Sequence, residues 1–307
     1  MEYRRLGRSG LLVSAVGLGA NNFGTRLDEP RAREVLDQAL DLGVTLIDTA
    51  DVYGKGASES LLGSLLGPRR QQVVLATKVG MEMSTSPYET GCSRRWILQS
   101  LENSLRRLRT DWIDLYQLHQ PDPATPIEES LRALDDLVRS GKVRYVGLSN
   151  FAGWQVLDAD WTARSAGLVR PVSVQDHYNL VVREIERELL PAARSLGLGL
   201  IPYYPLESGF LTGKYRPGVV PRGARLGESP RAERVLTAAN FERLERLEQF
   251  AAERHHSLVG LAFGWLLSHP EVASVIASAS AAEQVRQNVQ AAEWRLEAGE
   301  MERVGAL

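Results

Sequence analysis

The stretch Val44-Thr-Leu-Ile-Asp-Thr-Ala-Asp-Val-Tyr-Gly54 opens as a short apolar strand, residues 44–47, and spills into a polar loop. A brief apolar run closed by a loop is how a strand covered on both faces reads. The loop carries Asp48 at the strand's end and Tyr53 five positions further on. A carboxylate where the apolar run stops, with a phenol within reach, marks the first half of a proton-donating site. The other half must come from strands elsewhere in the chain.

The same strand-then-helix unit recurs in both directions. Upstream, residues 3–6 and 11–13 bracket Gly7-Arg-Ser-Gly10, a hairpin signal. Residues 14–18 read as a strand. The helix after it begins at Asp28 with Pro30 in its first turn, repeats Val35, Leu36, Ala39 and Leu40, and stops at Gly43. Strands over 44–47, 73–76 and 112–116 precede helices over 58–66, 93–108 and 127–139. Strands over 143–148 and 172–174 precede helices over 154–165 and 183–196. A strand over 198–201 leads into a loop rich in Gly, Pro and Arg, 206–230, and then helices near 238–253 and 258–267. A strand over 274–276 and a helix over 282–292 end the series.

That makes eight strand-then-helix units after a hairpin. Alternation of this kind implies a parallel sheet. Eight units close most simply as an α/β fold of the (β/α)8 (TIM) barrel type, with an N-terminal β-hairpin and extra helices. An open doubly wound sheet is the rival. No linker or shift in composition divides residues 1–307, so one domain is expected.

Composition narrows the class further. The chain has 307 residues, is 44% hydrophobic and 24% charged, and carries a formal net charge of -2. No strong field points to nucleic acid or anionic lipid. The single cysteine, Cys92, cannot form a disulfide within the chain, which suits a reducing compartment. There is no membrane-spanning run and no apolar signal core at the N-terminus, so a cytoplasmic enzyme acting on a small molecule is expected, with no nucleic-acid or membrane partner. Monomer and homo-oligomer are both open.

In a (β/α)8 barrel the chemistry sits at the C-terminal ends of the strands. Asn21 and Asn22 follow the first strand, Asp48 and Tyr53 the second, Lys78 the third and His119 the fourth. Ser149 and Asn150 follow the fifth, Gln175 the sixth, Tyr203 and Tyr204 the seventh, and Ser278 and Ser280 the eighth. Four of these form a chemical set. A tyrosine with its ordinary pKa near 10 would need about 4 kcal/mol of differential stabilisation to move about three units. A nearby Lys ammonium favours the phenolate, a buried Asp keeps that Lys charged, and a His on the pocket wall can bond the substrate oxygen. Asp48, Tyr53, Lys78 and His119 supply these parts. Their natural task is to protonate an oxygen that is becoming an alkoxide.

Five motifs carry a resemblance that spans nearly the whole chain. They are Gly43-Val-Thr-Leu-Ile-Asp-Thr-Ala-Asp-Val-Tyr-Gly54, Ala76-Thr-Lys78, Asp114-Leu-Tyr-Gln-Leu-His119, Gly141-Lys-Val-Arg-Tyr-Val-Gly-Leu-Ser-Asn150, and Tyr203-Tyr-Pro-Leu206 with Leu211-Thr-Gly-Lys-Tyr215. Together they resemble the aldo-keto reductases, closer to the bacterial and potassium-channel β-subunit-like branch than to the aldose-reductase branch. The resemblance implies Tyr53 as general acid, tuned by Lys78 and Asp48, with His119 orienting a carbonyl. It implies a nicotinamide cofactor across the barrel mouth. Ser149, Asn150 and Gln175 would hold its carboxamide, Tyr203 would stack on the ring, and Lys214 would approach the pyrophosphate. Leu206 and Ser278 would join the cofactor wall. Ser280, Gln284 and Asn288, with Arg225 beside them, would lie near the adenosine end.

Two departures qualify the resemblance. Where relatives read Ile-Pro-Gly and then a basic residue, this chain reads Ile276-Ala-Ser-Ala-Ser280. NADP(H) is still favoured, with NAD(H) open. The chain also stops at Leu307, which implies a more open substrate mouth, shaped by the loop after Gln120 and by Trp112, Trp154 or nearby aromatics.

Several rival readings are weaker. Gly17-Leu-Gly19 lacks the third glycine of a dinucleotide fingerprint and fits a close backbone approach to the pocket floor. It also replaces the His-x-His pair a metal-dependent hydrolase barrel would need, so no metal is expected. His255 and His256, adjacent on a predicted helix, read as surface residues. His177 lies near the rim as a secondary candidate for substrate contact. Cys92 gives no sign of a nucleophile. A cofactor-sensing subunit with little turnover is the alternative to an enzyme.

Overall fold

The computed structural model describes every residue but Arg222, Gly223, Arg225 and Glu228. Strands β1 (Tyr3–Arg5) and β2 (Leu12–Ser14) pair antiparallel as the expected hairpin. Eight strands then run parallel to one another: β3 (Val16–Gly19), β4 (Leu46–Asp48), β5 (Val74–Val79), β6 (Ile113–Leu118), β7 (Val143–Ser149), β8 (Ser173–Gln175), β9 (Gly199–Leu200) and β10 (Val275–Ala277). Their order is β10-β3-β4-β5-β6-β7-β8-β9. The two ends of that order meet through the bridges Leu200–Val272 and Tyr203–Ile276. The Ala273 N–H donates to the Leu200 carbonyl at 2.9 Å and the Ile276 N–H to that of Pro202 at 2.9 Å. These contacts close the sheet into the (β/α)8 barrel.

The helices α1 (Glu29–Asp41), α2 (Ala57–Leu66), α3 (Arg94–Leu108), α4 (Ile127–Arg139), α5 (Gly153–Ala166) and α6 (Leu189–Leu196) alternate with the strands. Between β9 and β10 come α7 (Ala232–Val235), α8 (Ala238–Ala252) and α9 (Leu258–Leu267), and after β10 come α10 (Ala282–Ala291) and α11 (Ala298–Ala306). Asp28 caps α1 by accepting the Arg31 N–H at 3.2 Å, and Ser93 caps α3 through the Trp96 N–H. Leu46, Ala76, Leu115, Ile201 and Ile276 fill the barrel interior, joined by Leu6 and Val13 of the hairpin. The hairpin therefore plugs the N-terminal end. A Cβ on Gly7 (φ +57°) would stand 2.6 Å from the Gly197 carbonyl oxygen, so only glycine lets it seat there.

The strands end later than their apolar runs. β4 contains Asp48, β5 contains Lys78, and β7 reaches Ser149. Backbone pairing continues through polar side chains that face the cavity, and apolar patterning does not register it. The single helix expected over 183–196 is divided into a 3-10 turn, Glu184–Arg187, and α6. Pro191 accounts for this, because a residue without an N–H belongs in the first turn of a helix. α7 and α11 were not expected. His255 and His256 are exposed but follow α8 in a turn, with His255 at φ +59°, so the helix expected there is corrected.

Candidate active site

Lys78 of β5 is fully buried. Its ammonium donates to Asp48 Oδ2 at 2.7 Å and to the Thr49 carbonyl at 2.8 Å, and lies 3.5 Å from the Tyr53 hydroxyl. Burial pushes the Lys78 pKa down, but Asp48 and Tyr53 outweigh it, and the net direction is upward. The ammonium persists because its partners sit beside it. Asp48 Oδ1 accepts a further bond from Gln175 Nε2 at 3.0 Å.

Tyr53 opens a tight turn, Tyr53–Gly56, in which Gly54, Lys55 and Gly56 all have positive φ. Three consecutive left-handed residues swing the chain back sharply and leave the phenol facing the cavity. The turn is held from below. Glu59 is fully buried and accepts from the Thr77 hydroxyl at 2.5 Å and from Arg107 Nε at 2.6 Å. Ser58 contacts the Thr49 hydroxyl at 2.8 Å and donates to the Ala20 carbonyl at 2.8 Å. Sequence reasoning missed this support, although Ser58 and Glu59 lie directly beyond the quoted stretch.

Burial raises the Tyr53 pKa, and Lys78 pulls it down by less. The Lys78 effect has the direction expected from the sequence, but desolvation wins. The correction is physical: the phenol shares the low-dielectric pocket that buries the ammonium. The resting tyrosine therefore keeps its proton.

His119 follows β6, and its ring meets that of Tyr53 edge-on, with centroids 5.9 Å apart. Burial first, and the Lys78 charge second, depress its pKa to about 3. The imidazole is neutral at ordinary pH. Its Nδ1 is buried with no hydrogen-bond partner among the described residues.

Asp48, Tyr53 and His119 line one cavity of about 990 Å³ at the C-terminal ends of the strands, with Lys78 directly beneath. Ser149, Asn150, Gln175, Tyr203, Leu206 and Lys214 line it too, as do Ser278, Ser280, Gln284 and Asn288. Arg225 lies outside the described residues. Asn150 (φ +61°) donates to the His119 carbonyl at 2.8 Å and accepts from the Tyr203 hydroxyl at 2.7 Å. Ser278 reaches across to Asn21 Oδ1 at 2.7 Å. Arg26, Met81, Gly209 and Gln287 are among the wall residues that were not anticipated.

Two expected wall residues are elsewhere. Trp112 precedes β6 and so lies at the opposite end of the barrel, where Arg70 covers its ring at 4.5 Å. Trp154 stands on the solvent face of α5. Met81 and Gln120 line the mouth instead. His177 does not reach the cavity. It lies parallel to Tyr203, with centroids 5.5 Å apart, and bonds Glu207 at 2.5 Å. Cys92 is buried, and its pKa is pushed up to about 12, first by burial and then by Asp122, so it stays a thiol.

A Tyr–Lys–Asp–His set beneath one cavity at the strand ends can deliver a proton to the oxygen of a bound small molecule. Residues 15–307 match the model described as "Aldo/keto reductase family". The chain belongs to the aldo/keto reductase family. It is 39% identical over 309 residues to the oxidoreductase YrpG of Bacillus subtilis, covering 97% of this chain and 93% of the relative. It is 38% identical to a probable voltage-gated potassium channel subunit beta of rice, Oryza sativa, covering 95% and 91%. It is 37% identical to the L-glyceraldehyde 3-phosphate reductase of Escherichia coli, covering 95% and 87%. The protein is thus an NAD(P)H-dependent oxidoreductase of the carbonyl-reducing kind.

The residues present fit such a cofactor. The cavity is at the upper end of small-molecule sites, about 300–1,000 Å³. Gly19 and Gly209 lie on its wall, beside Ser278 and Lys214. A Cβ on Gly209 would stand 2.9 Å from Lys214 Nζ, and one on Gly19 would stand 2.9 Å from Ser278 Oγ. Among the described residues no group of three or more His, Cys, Asp or Glu could hold a metal ion, and no helix is long and apolar enough to cross a membrane.

Proposed function

We propose that the protein reduces an aldehyde or ketone to the alcohol with NADPH, and that Tyr53 donates the proton. The contact that carries this reading is the 3.5 Å approach of Lys78 Nζ to the Tyr53 hydroxyl beneath one cavity. The cofactor, when bound, supplies hydride to the carbonyl carbon. As negative charge gathers on the carbonyl oxygen, Tyr53 passes its hydroxyl proton to it, and the resulting phenolate is balanced by the Lys78 ammonium. Asp48 holds that ammonium in place. The neutral His119 imidazole faces the same oxygen as a hydrogen-bond donor, and Met81 and Gln120 bound the substrate end.

Ser149, Asn150 and Gln175 are assigned to the carboxamide, Tyr203 to the nicotinamide face, and Lys214 to the pyrophosphate. Leu206 and Ser278 complete that wall. Ser280, Gln284 and Asn288 take the adenosine end, Ser280 and Gln284 at the N-terminus of α10 and Asn288 one turn beyond Gln284. The Ser280 N–H and hydroxyl already converge on Gln284 Oε1, at 2.8 and 3.1 Å. A helix N-terminus favours an anion, which supports NADPH over NADH.

A second reading comes from the relatives named as probable potassium-channel β subunits. There the chain would bind the nucleotide and turn over little. A panel of short, aryl and sugar aldehydes and simple ketones, followed by loss of NADPH absorbance, separates the two. Steady oxidation with NADPH, and less with NADH, supports the enzyme. Tight nucleotide binding without turnover on any carbonyl supports the subunit.

A further inference from the structure

Helix α5 buries Val156, Ala159 and Ala163 against the barrel, yet its solvent face is apolar as well. Trp154, Leu157 and Trp161 are 60%, 45% and 69% exposed. Positions i, i+3 and i+7 share one face of a helix. Trp161 is the most exposed large apolar side chain among the described residues, and three of the nine such side chains stand on this one stripe. Large apolar side chains gathered on one stripe, unlike ones scattered singly, are the kind of surface a partner covers.

The charges around the stripe narrow down the partner. Asp158 and Arg164 stand three residues before and three after Trp161, both exposed, one acid and one base. A membrane-binding face would carry an excess of Lys and Arg, and here acid and base balance. An isologous interface requires a surface complementary to itself. This one meets that requirement: a two-fold axis through Trp161 runs two copies of α5 antiparallel. It lays Trp161 on its own counterpart and brings Asp158 of one copy level with Arg164 of the other. Arg164 Nε already bonds Asp160 at 2.7 Å, which holds the half-exposed side chain beside the stripe.

We propose that α5 is a homodimer interface, formed by antiparallel packing of the Trp154–Leu157–Trp161 stripe on a second copy of this chain. Three side chains fall short of the roughly 800 Å² per partner of a standard interface, so the dimer is weak and concentration-dependent. The interface lies on the outer helical ring and leaves the cavity of each copy open.

Sedimentation velocity across a dilution series tests this on the full chain. Wild type should shift on concentration from a 33.9 kDa species toward twice that mass. Trp161→Glu should stay monomeric throughout, with its carbonyl-reducing turnover and melting temperature unchanged. Trp154→Glu serves as a second variant should the first fail to fold. Asp158→Arg should weaken assembly at least tenfold, and Asp158→Arg with Arg164→Asp should restore it. A wild type that stays monomeric at every concentration overturns the proposal, whether or not it then cosediments with lipid vesicles or another protein. So does a dimer indifferent to both Trp substitutions, or a charge-swapped double variant no better than the single one.

Discussion

In the resting site the Tyr53 hydroxyl stands 3.5 Å from the Lys78 ammonium, at the long limit of a hydrogen bond. The same nitrogen is 2.7 Å from Asp48. Lys78 is thus anchored by the carboxylate and only poised toward the phenol. Were the phenol to give up its proton, the ammonium would at that moment gain a second anionic partner beside Asp48. Stabilisation confined to that moment raises turnover rather than substrate affinity.

Replacing Tyr53 by Phe removes the proton and almost nothing else. The ring stays edge-on to His119, and the Lys78–Asp48 pair keeps its other contacts. Turnover should fall by about 10²–10⁴-fold, the usual worth of a positioned general acid. Nucleotide affinity, read by fluorescence titration, should match wild type. Equal loss of both would mean that Tyr53 shapes the cofactor site instead of the chemistry.

Asp51 gives a pH-dependent prediction. Its carboxyl is fully buried, with one oxygen accepting from Ser100 at 3.0 Å and the other unpartnered among the described residues. Burial first, then the neighbouring Glu59, raises its pKa from 3.8 to about 7, against weaker downward pulls from Ser100 and Arg107. The native state thus holds a proton that the unfolded chain releases. This group's contribution is intact below pH 3.8 and is lost as the pH climbs to about 7, where it levels off. A shift of about three units corresponds to about 4 kcal/mol at most. Asp51→Asn cannot ionise. Urea unfolding should therefore show the variant gaining on wild type between about pH 4 and 7, with a constant difference above that. A gap independent of pH would mean that Asp51 is not protonated in the fold.

The barrel was legible in the sequence because eight apolar runs each stop at a polar residue, and β4 with Asp48 shows the rule in miniature. Asp48, Lys78 and His119 were legible as neighbours because each closes an apolar strand with a polar side chain at the same rim, and Tyr53 because it follows Asp48 in the same short loop. Trp112 went wrong although the strand's direction already placed it at the far rim, because it stands before β6 and not after it. Asp51 lay inside the quoted stretch, yet nothing in Ala50-Asp51-Val52 tells a buried acid from a loop acid. The stripe on α5 was hidden because Trp154 reads as a pocket aromatic, and nothing in the sequence shows that the opposite face of the helix is already buried by Val156, Ala159 and Ala163. Glu207 was hidden for a backbone reason, since its neighbours Tyr204 and Ser208 are not residues that announce left-handed turns.

That buried carboxylate makes the last prediction. Tyr204, Glu207 and Ser208 have φ of +53°, +42° and +55°, and each such residue costs on the order of 1–3 kcal/mol. The segment they shape bears Leu206, Gly209 and Lys214 on the cavity wall. Glu207 holds it in place. One carboxylate oxygen bonds His177 at 2.5 Å and Asn179 at 2.8 Å, and the other lies 3.5 Å from Arg231, which also covers the Tyr204 ring at 4.1 Å. Burial pushes the Glu207 pKa up, but His177, Asn179 and Arg231 together bring it below the ordinary carboxylate value, so the group is charged. Glu207→Gln keeps the shape and weakens these bonds by about 1–3 kcal/mol. The segment should loosen, and nucleotide should bind about tenfold or more weakly by this arithmetic. Turnover at saturating nucleotide should hold close to wild type, because Tyr53, Lys78 and His119 hang from other strands. A Glu207→Gln variant that binds nucleotide normally but turns over slowly would place Glu207 in the chemistry and not in the grip on the cofactor.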